Sequence, residues 1–101
     1  MQIIIVGCGK VGSTIAEQLS AEGHDITIVD TDESVVQALA TRLDIMGVTG
    51  NGATHSILAE AGVEEADLLI AVTESDELNL LCCMVGKKAG AEHTIARVRN
   101  P

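Results

Sequence analysis

Three glycines and one carboxylate are the residues of this chain best suited to chemistry: Gly7, Gly9 and Gly12 in a Gly-x-Gly-x-x-Gly run, and Asp30 further along. The chemistry they suit is the holding of a phosphate-bearing ligand. In such a run the first glycine permits a tight turn, the second lets the backbone approach a pyrophosphate, and the third lets a helix pack closely on a strand. The free N–H groups and positive dipole end of that helix then attract the anion. Gly7, Cys8, Gly9, Lys10, Val11 and Gly12 together are the candidate cradle. Lys10 either neutralises a phosphate, of its own ligand or of one in a neighbouring subunit, or is a solvated lysine opening a helix.

Asp30 lies close to the roughly 20-residue offset at which the dinucleotide fingerprint has its acid. A carboxylate there accepts hydrogen bonds from both ribose hydroxyls and repels a 2′-phosphate, a pattern that favours NAD over NADP. The alternative is that Asp30 merely begins the next helix.

Because 10 of the residues are glycine, the run is a weak signal unless a strand precedes it and a helix follows. Both are present. Ile3-Ile4-Ile5-Val6 is a β-branched run suited to a strand buried on two faces, and Val11, Ile15 and Leu19 recur with helical spacing. Gly23 ends that helix, and Asp25 to Asp30 reads as a second strand. Thr31 or Asp32 caps a helix carrying Val35, Val36, Leu39 and Leu43, and a brief strand follows near Ile45 to Val48. After the Gly50-Asn51-Gly52 break, Thr54 is the N-cap of a short helix through Ile57 and Leu58 that ends at Gly62. Ala66 to Val72 is the clearest strand in the second half. The turn from Thr73 to Glu77 opens a helix with Leu78, Leu81, Met84 and Val85, Gly90 ends it, and His93 to Val98 is the last strand.

Alternating β and α units over the whole length predict one α/β domain, residues 1–101. Its sheet is a Rossmann-like, doubly wound parallel sheet of five strands ordered 3-2-1-4-5, with helices on both faces. The glycine loop, Asp30, the Asn51 turn and the Thr73 turn all follow strand C-terminal ends, so a ligand at the switch point meets all four. A complete dinucleotide-binding sheet often has a sixth strand, so the chain reads as an N-terminal fragment of a longer protein.

Composition narrows the function classes. The chain has 101 residues, 47% of them hydrophobic and none aromatic, so the core is aliphatic and bases cannot stack on aromatic rings. A formal charge of −9 argues against nucleic acid or direct membrane contact, both of which need a basic footprint. There is no basic leader and no spanning apolar stretch, and a cytosolic protein is the simplest reading. The three cysteines, Cys8 and the adjacent Cys82 and Cys83, form neither a disulfide framework nor a zinc spacing.

Several motifs together resemble the N-terminal, nucleotide-binding domain of Trk-type potassium uptake regulators, the RCK or KTN domain. They are the opening strand with its glycine run, Val29-Asp30-Thr31-Asp32, Gly50-Asn51-Gly52-Ala53-Thr54, Ala66-Asp67 through Val72-Thr73, Ser75-Asp76-Glu77-x-Asn79, and Ile95-Ala96-Arg97-Val98-Arg99-Asn100-Pro101. The resemblance implies a cytoplasmic gating subunit that binds NAD(H), or ATP and ADP. It implies a membrane-embedded potassium transporter or channel subunit as partner, reached at the inner face of the membrane, and assembly into homodimers or higher homo-oligomers. It also implies cofactor contacts at Asp30, Thr31, Asn51, Gly52, Ala53, Thr73 and Arg97. Many relatives have an acid where Asn51 stands, although a neutral amide also hydrogen-bonds adenine or ribose.

Each of these residues has a plainer role open to it. Arg97 reaches a phosphate or forms a surface ion pair with local acids, while Asn51 and Thr73 contact an adenosine or fix their own turns. Glu74, Asp76 and Glu77 complement a helix dipole, with a metal site as the lesser alternative. His24, His55 and His93 show no metal-ligand spacing and no nucleophile partner, and no catalytic or metal residue is assigned. The competing functions are the cofactor half of an NAD-dependent oxidoreductase, which lacks an acid/base group for hydride transfer, and a redox-sensing regulator.

Overall fold

In the computed structural model, which describes residues 1–99, the central strand β1 spans Gln2–Val6 and is buried from Ile3 to Val6. With no polar side chain from Ile3 to Val6, this strand suits only the middle of a sheet covered on both sides. It pairs in parallel with β2, Asp25–Asp30, on one side and β4, Leu68–Ala71, on the other. Outer strands β3, Met46–Thr49, and β5, His93–Ala96, complete a five-stranded sheet in the order β3-β2-β1-β4-β5. This is the order and the all-parallel arrangement expected from the sequence.

Helices α1, Lys10–Ala21, and α2, Glu33–Leu43, cover one face. They close over a cluster that includes Ile3, Ile5, Ala16, Ile28, Val36 and Leu39. Helices α3, His55–Glu60, and α4, Asp76–Ala89, cover the other face, over Ile4, Val6, Leu58, Leu69 and Cys82. Burying aliphatic groups on both faces supplies the main driving force, on the order of 25 cal/mol per Å² of apolar surface.

Local signals explain most of the boundaries. The Asp32 side chain caps α2 by accepting from the N–H groups of Ser34 and Val35, so Thr31 is not the cap. Ser75 caps α4 by accepting from Leu78, with Asp76 and Glu77 complementing the dipole in its first turn. Thr54 precedes α3 as expected but does not cap it with its side chain. Its hydroxyl instead donates back to the Asn51 carbonyl at 2.7 Å.

Other differences have packing causes. A 3₁₀ turn at Val63–Glu65 precedes β4 and delays strand pairing from Ala66 to Leu68. β5 ends at Ala96, two residues before Val98, although the Arg97 N–H still reaches the Ala71 carbonyl at 2.9 Å. In α4, Leu78 and Val85 pack inward, but Leu81 and Met84 face solvent. Gly86 sets that phase: a Cβ there would lie 2.8 Å from Leu69 Cδ1, so the helix presents its glycine to the sheet and rolls Met84 outward. Val11 is likewise exposed, while Gly12 and Ala16 make the close contact of α1. Asn100 and Pro101, the end of the last family motif, lie outside the described residues.

Candidate functional site

A cleft of about 320 Å³ opens where the chain departs from β1 in opposite directions, at the C-terminal ends of the strands. This is the switch-point crevice in which open α/β sheets take ligands. Gly7, Gly9, Asp30, Thr31, Asn51, Gly52 and Thr73 line it, as do Val6, Val29, Gly50, Val72, Glu74 and Leu78. The four turns expected to converge there do so. Of the other residues singled out, Cys8, Lys10, Val11, Gly12, Ala53 and Arg97 are not among its lining.

The glycine loop is shaped by its neighbours. Gly7 has φ +108°, and a Cβ there would meet the Thr73 nitrogen and the Val72 carbonyl carbon at 2.9 Å. A Cβ at Gly12 would lie 1.8 Å from the Gly7 carbonyl oxygen, so α1 packs directly on the loop that starts it. At Gly9 a Cβ would meet nothing within 4 Å, and Gly9 lines the cleft. Gly7 and Gly12 are thus demanded by the fold, whereas the space beside Gly9 belongs to the cleft. Gly9 is also the N-cap of α1 and gives it no side-chain cap, leaving the first-turn N–H groups for another acceptor.

Asp30 braces this loop. One carboxylate oxygen accepts the Cys8 N–H at 2.7 Å and the other accepts the Asp32 N–H at 3.1 Å. Two oxygens carry about four acceptor positions, so both still have capacity for hydroxyl donors. The carboxylate is held in place by backbone before any ligand arrives.

On the opposite wall, Thr73 is bound into a network with Asn79, a fully buried residue. Arg97 donates from its guanidinium to the Thr73 carbonyl at 2.7 Å, which turns it toward the β4 loop. Its Nε is buried without a partner among the described residues. No composition or periodicity signal marked Asn79; the only pointer was its place in Ser75-Asp76-Glu77-x-Asn79. Asn51 uses its side-chain carbonyl on the Ala53 N–H at 2.8 Å, an Asx turn, which leaves its amide N–H₂ as the polar group open to the cleft.

The remaining candidates are placed as follows. Lys10 and Val11 are exposed at the start of α1, and Ala53 packs against the core. Glu74 forms an exposed ion pair with Arg99 at 3.6 Å. Among the described residues no cluster of His, Cys, Asp or Glu could hold a metal, and no helix is long and apolar enough to cross a membrane. Burial, with a smaller contribution from the Asp30 carboxylate, pushes the Cys8 thiol up to about 12, so it stays protonated and unreactive at neutral pH.

A parallel sheet with this strand order and a glycine-cradled crevice at its switch point defines a Rossmann-like, nucleotide-binding class of domain. The family model of the TrkA-N domain matches residues 3–101, and the chain belongs to that family. It is 51% identical over 100 residues to the Trk system potassium uptake protein TrkA of Halomonas elongata, covering 98% of this chain and 22% of that protein. Among solved structures, the Kef CTD of Shewanella denitrificans in AMP-bound form superposes with a TM-score of 0.79 at 25% identity, over 94% of this chain and 57% of that one. The NAD(P)-binding domain of an exopolyphosphatase-related protein from Archaeoglobus fulgidus gives 0.84 at 20% identity, over 98% and 74%, and speaks to the fold alone. The chain therefore spans about a fifth of the length of the Halomonas relative.

Proposed function

We propose that this chain is the nucleotide-sensing part of a Trk-type potassium uptake regulator. In this reading NAD(H), or an adenine nucleotide such as ATP or ADP, lodges in the switch-point cleft. The binding event is passed to a membrane-embedded potassium transporter or channel subunit at the cytoplasmic face, by an assembly of two or more copies. The observation that carries the reading is the pairing of open space at Gly9 with a braced carboxylate at Asp30 in one cleft. Family membership and the AMP-bound Kef relative support it. Gly9 and the uncapped start of α1 would hold phosphate, Asp30 the ribose hydroxyls, and the Asn51 amide a ring or ribose acceptor.

The cleft favours binding over turnover. Its titratable side chains are Asp30 and Glu74. Asp30 is tied to two backbone N–H groups and Glu74 faces Arg99, which leaves neither poised as a proton relay for hydride transfer. The test is a calorimetric and thermal-shift panel of NADH, NAD+, ATP, ADP and AMP on the 101-residue chain. One or more nucleotides are expected to raise the melting temperature in a concentration-dependent way, as RT ln(1 + [L]/Kd) requires. A flat panel would overturn the nucleotide reading, and NADH oxidation with small carbonyl compounds would favour an oxidoreductase.

A further inference from the structure

Asn51 and Gly52 form the one Asn-Gly pair of the chain, and both line the cleft, with Asn51 exposed. An asparagine is most open to attack on its own side chain by the next backbone nitrogen when that next residue is glycine, because no Cβ stands in the way. Packing keeps the glycine in place. A Cβ at position 52 would lie 2.5 Å from Val6 Cγ1, so the fold demands the neighbour that leaves Asn51 least protected.

The turn arranges each group that such a reaction uses. The nucleophile is the Gly52 nitrogen, whose N–H has no acceptor among the described residues. Two donors sit on the Asn51 main-chain carbonyl, the Thr54 N–H at 3.1 Å and the Thr54 hydroxyl at 2.7 Å. Hydrogen bonds to that oxygen stabilise the anion formed when the Asn51–Gly52 amide loses its proton, so they make the Gly52 N–H more acidic. The Ala53 N–H, 2.8 Å from Asn51 Oδ1, polarises the side-chain carbonyl and faces the charge that develops on it. The Asn51 amide nitrogen, the leaving group, has no hydrogen-bond partner among the described residues. Neither of the other asparagines shares this setting: Asn79 is buried and fully hydrogen-bonded, and Asn100 precedes Pro101, which has no N–H to lose.

We propose that Asn51 is a modification site, which loses its amide spontaneously through attack of the Gly52 nitrogen and leaves a carboxylate in the cleft. Hydroxide takes the Gly52 proton, and the nitrogen bonds to Asn51 Cγ. The Cγ–Nδ2 bond then breaks and releases ammonia, whose added proton comes from water. A second water opens the resulting succinimide at either carbonyl, giving aspartate or isoaspartate. The new carboxylate joins Asp30 and Glu74 in a cleft whose described lining holds no cation. Through the functional reading above, on which this consequence rests, a phosphate-bearing ligand is then repelled.

Peptide mass spectrometry of the ligand-free 101-residue chain, kept folded at mildly alkaline pH and in parallel in urea, tests the site. In the folded chain the Asn51 peptide is expected to gain the mass of amide-to-acid conversion at a rate proportional to hydroxide, while the Asn79 and Asn100 peptides lag behind. Thr54→Val removes one donor from the Asn51 carbonyl and is expected to slow the folded reaction about tenfold, with no change in urea. Asn51→Gln should keep its amide, because the larger ring closes poorly. An Asn51 that survives in the folded chain while it converts in urea, or a folded Thr54→Val chain that reacts at the wild-type rate, would overturn the site. For the ligand, Asn51→Asp is expected to bind NADH about threefold more weakly than fresh wild type, and equal affinity would overturn the effect on the cleft. A flat nucleotide panel on fresh protein would defeat the nucleotide reading and the ligand effect with it, but not the modification, whose mass gain is read without ligand.

Discussion

The side-chain carbonyl of Asn79 accepts both polar hydrogens of Thr73, the backbone N–H at 2.8 Å and the hydroxyl at 2.7 Å. Its amide nitrogen returns to the Thr73 carbonyl at 3.2 Å and reaches the Arg97 carbonyl at 3.0 Å. Two donors and two acceptor positions are all that an asparagine side chain has, and all are used. One buried side chain thus sets the loop after β4, the exit of β5 and, through Thr73, a wall of the cleft.

Replacing that amide by a hydrocarbon of similar size leaves several buried partners unmatched. Asn79→Leu is expected to lower stability by about 3 kcal/mol, read from urea unfolding. A loss under about 1 kcal/mol would mean that the Thr73 loop is held by other contacts.

The glycines of the loop separate fold from binding. Gly12→Ala drives a methyl group to 1.8 Å from the Gly7 oxygen, so that variant is expected not to fold. Gly9→Val meets open space, and its circular dichroism should match wild type while nucleotide affinity is lost. Normal binding by Gly9→Val would put the phosphate elsewhere.

Asp30→Asn removes the charge but keeps one acceptor for the Cys8 or Asp32 N–H. NADH affinity in calorimetry is expected to fall about tenfold, equivalent to about 1.4 kcal/mol. NADPH should lose less, because repulsion of the 2′-phosphate is relieved at the same time. Equal losses for both cofactors would remove the ribose role from Asp30.

Burial pushes the Cys8 thiol up to about 12 and the Cys82 thiol up to about 11, from an ordinary 9.0. The unfolded chain releases these protons near pH 9 while the folded chain keeps them. Stability that is complete below pH 9 is therefore lost as the pH rises toward 11 and 12. The melting temperature is expected to fall over that window, and more shallowly in a Cys8→Ala, Cys82→Ala double variant. Equal slopes would assign the alkaline loss to other groups.

Strand order and the four convergent turns were legible because their signals are local: a β-branched run, a glycine turn, a cap. What escaped was set by contacts between distant segments. The phase of α4 depends on Gly86 meeting Leu69, so Leu81 and Met84, apolar at helical spacing, looked like core and are not. The 3₁₀ turn at Val63–Glu65 falls between the helix end at Gly62 and the strand run from Ala66, where three residues are too few to carry a periodic signal. Arg97 read as a cation that reaches phosphate or pairs with local acids, and nothing local in the sequence announces the hydrogen bond that one of its guanidinium nitrogens donates to the Thr73 carbonyl. The buried role of Asn79 carries no periodic signature, because a polar residue on a helix reads as solvent-facing until its partners are known.

The aliphatic core has an optical consequence. With no Trp, Tyr or Phe in the chain, the folded protein is almost transparent where purine and nicotinamide rings absorb. An achiral chromophore side seated against Asp30 and the glycine loop would show its own induced circular dichroism, and NADH its own fluorescence, against an almost blank background. Occupancy of this cleft can be watched from the ligand's side without adding a label.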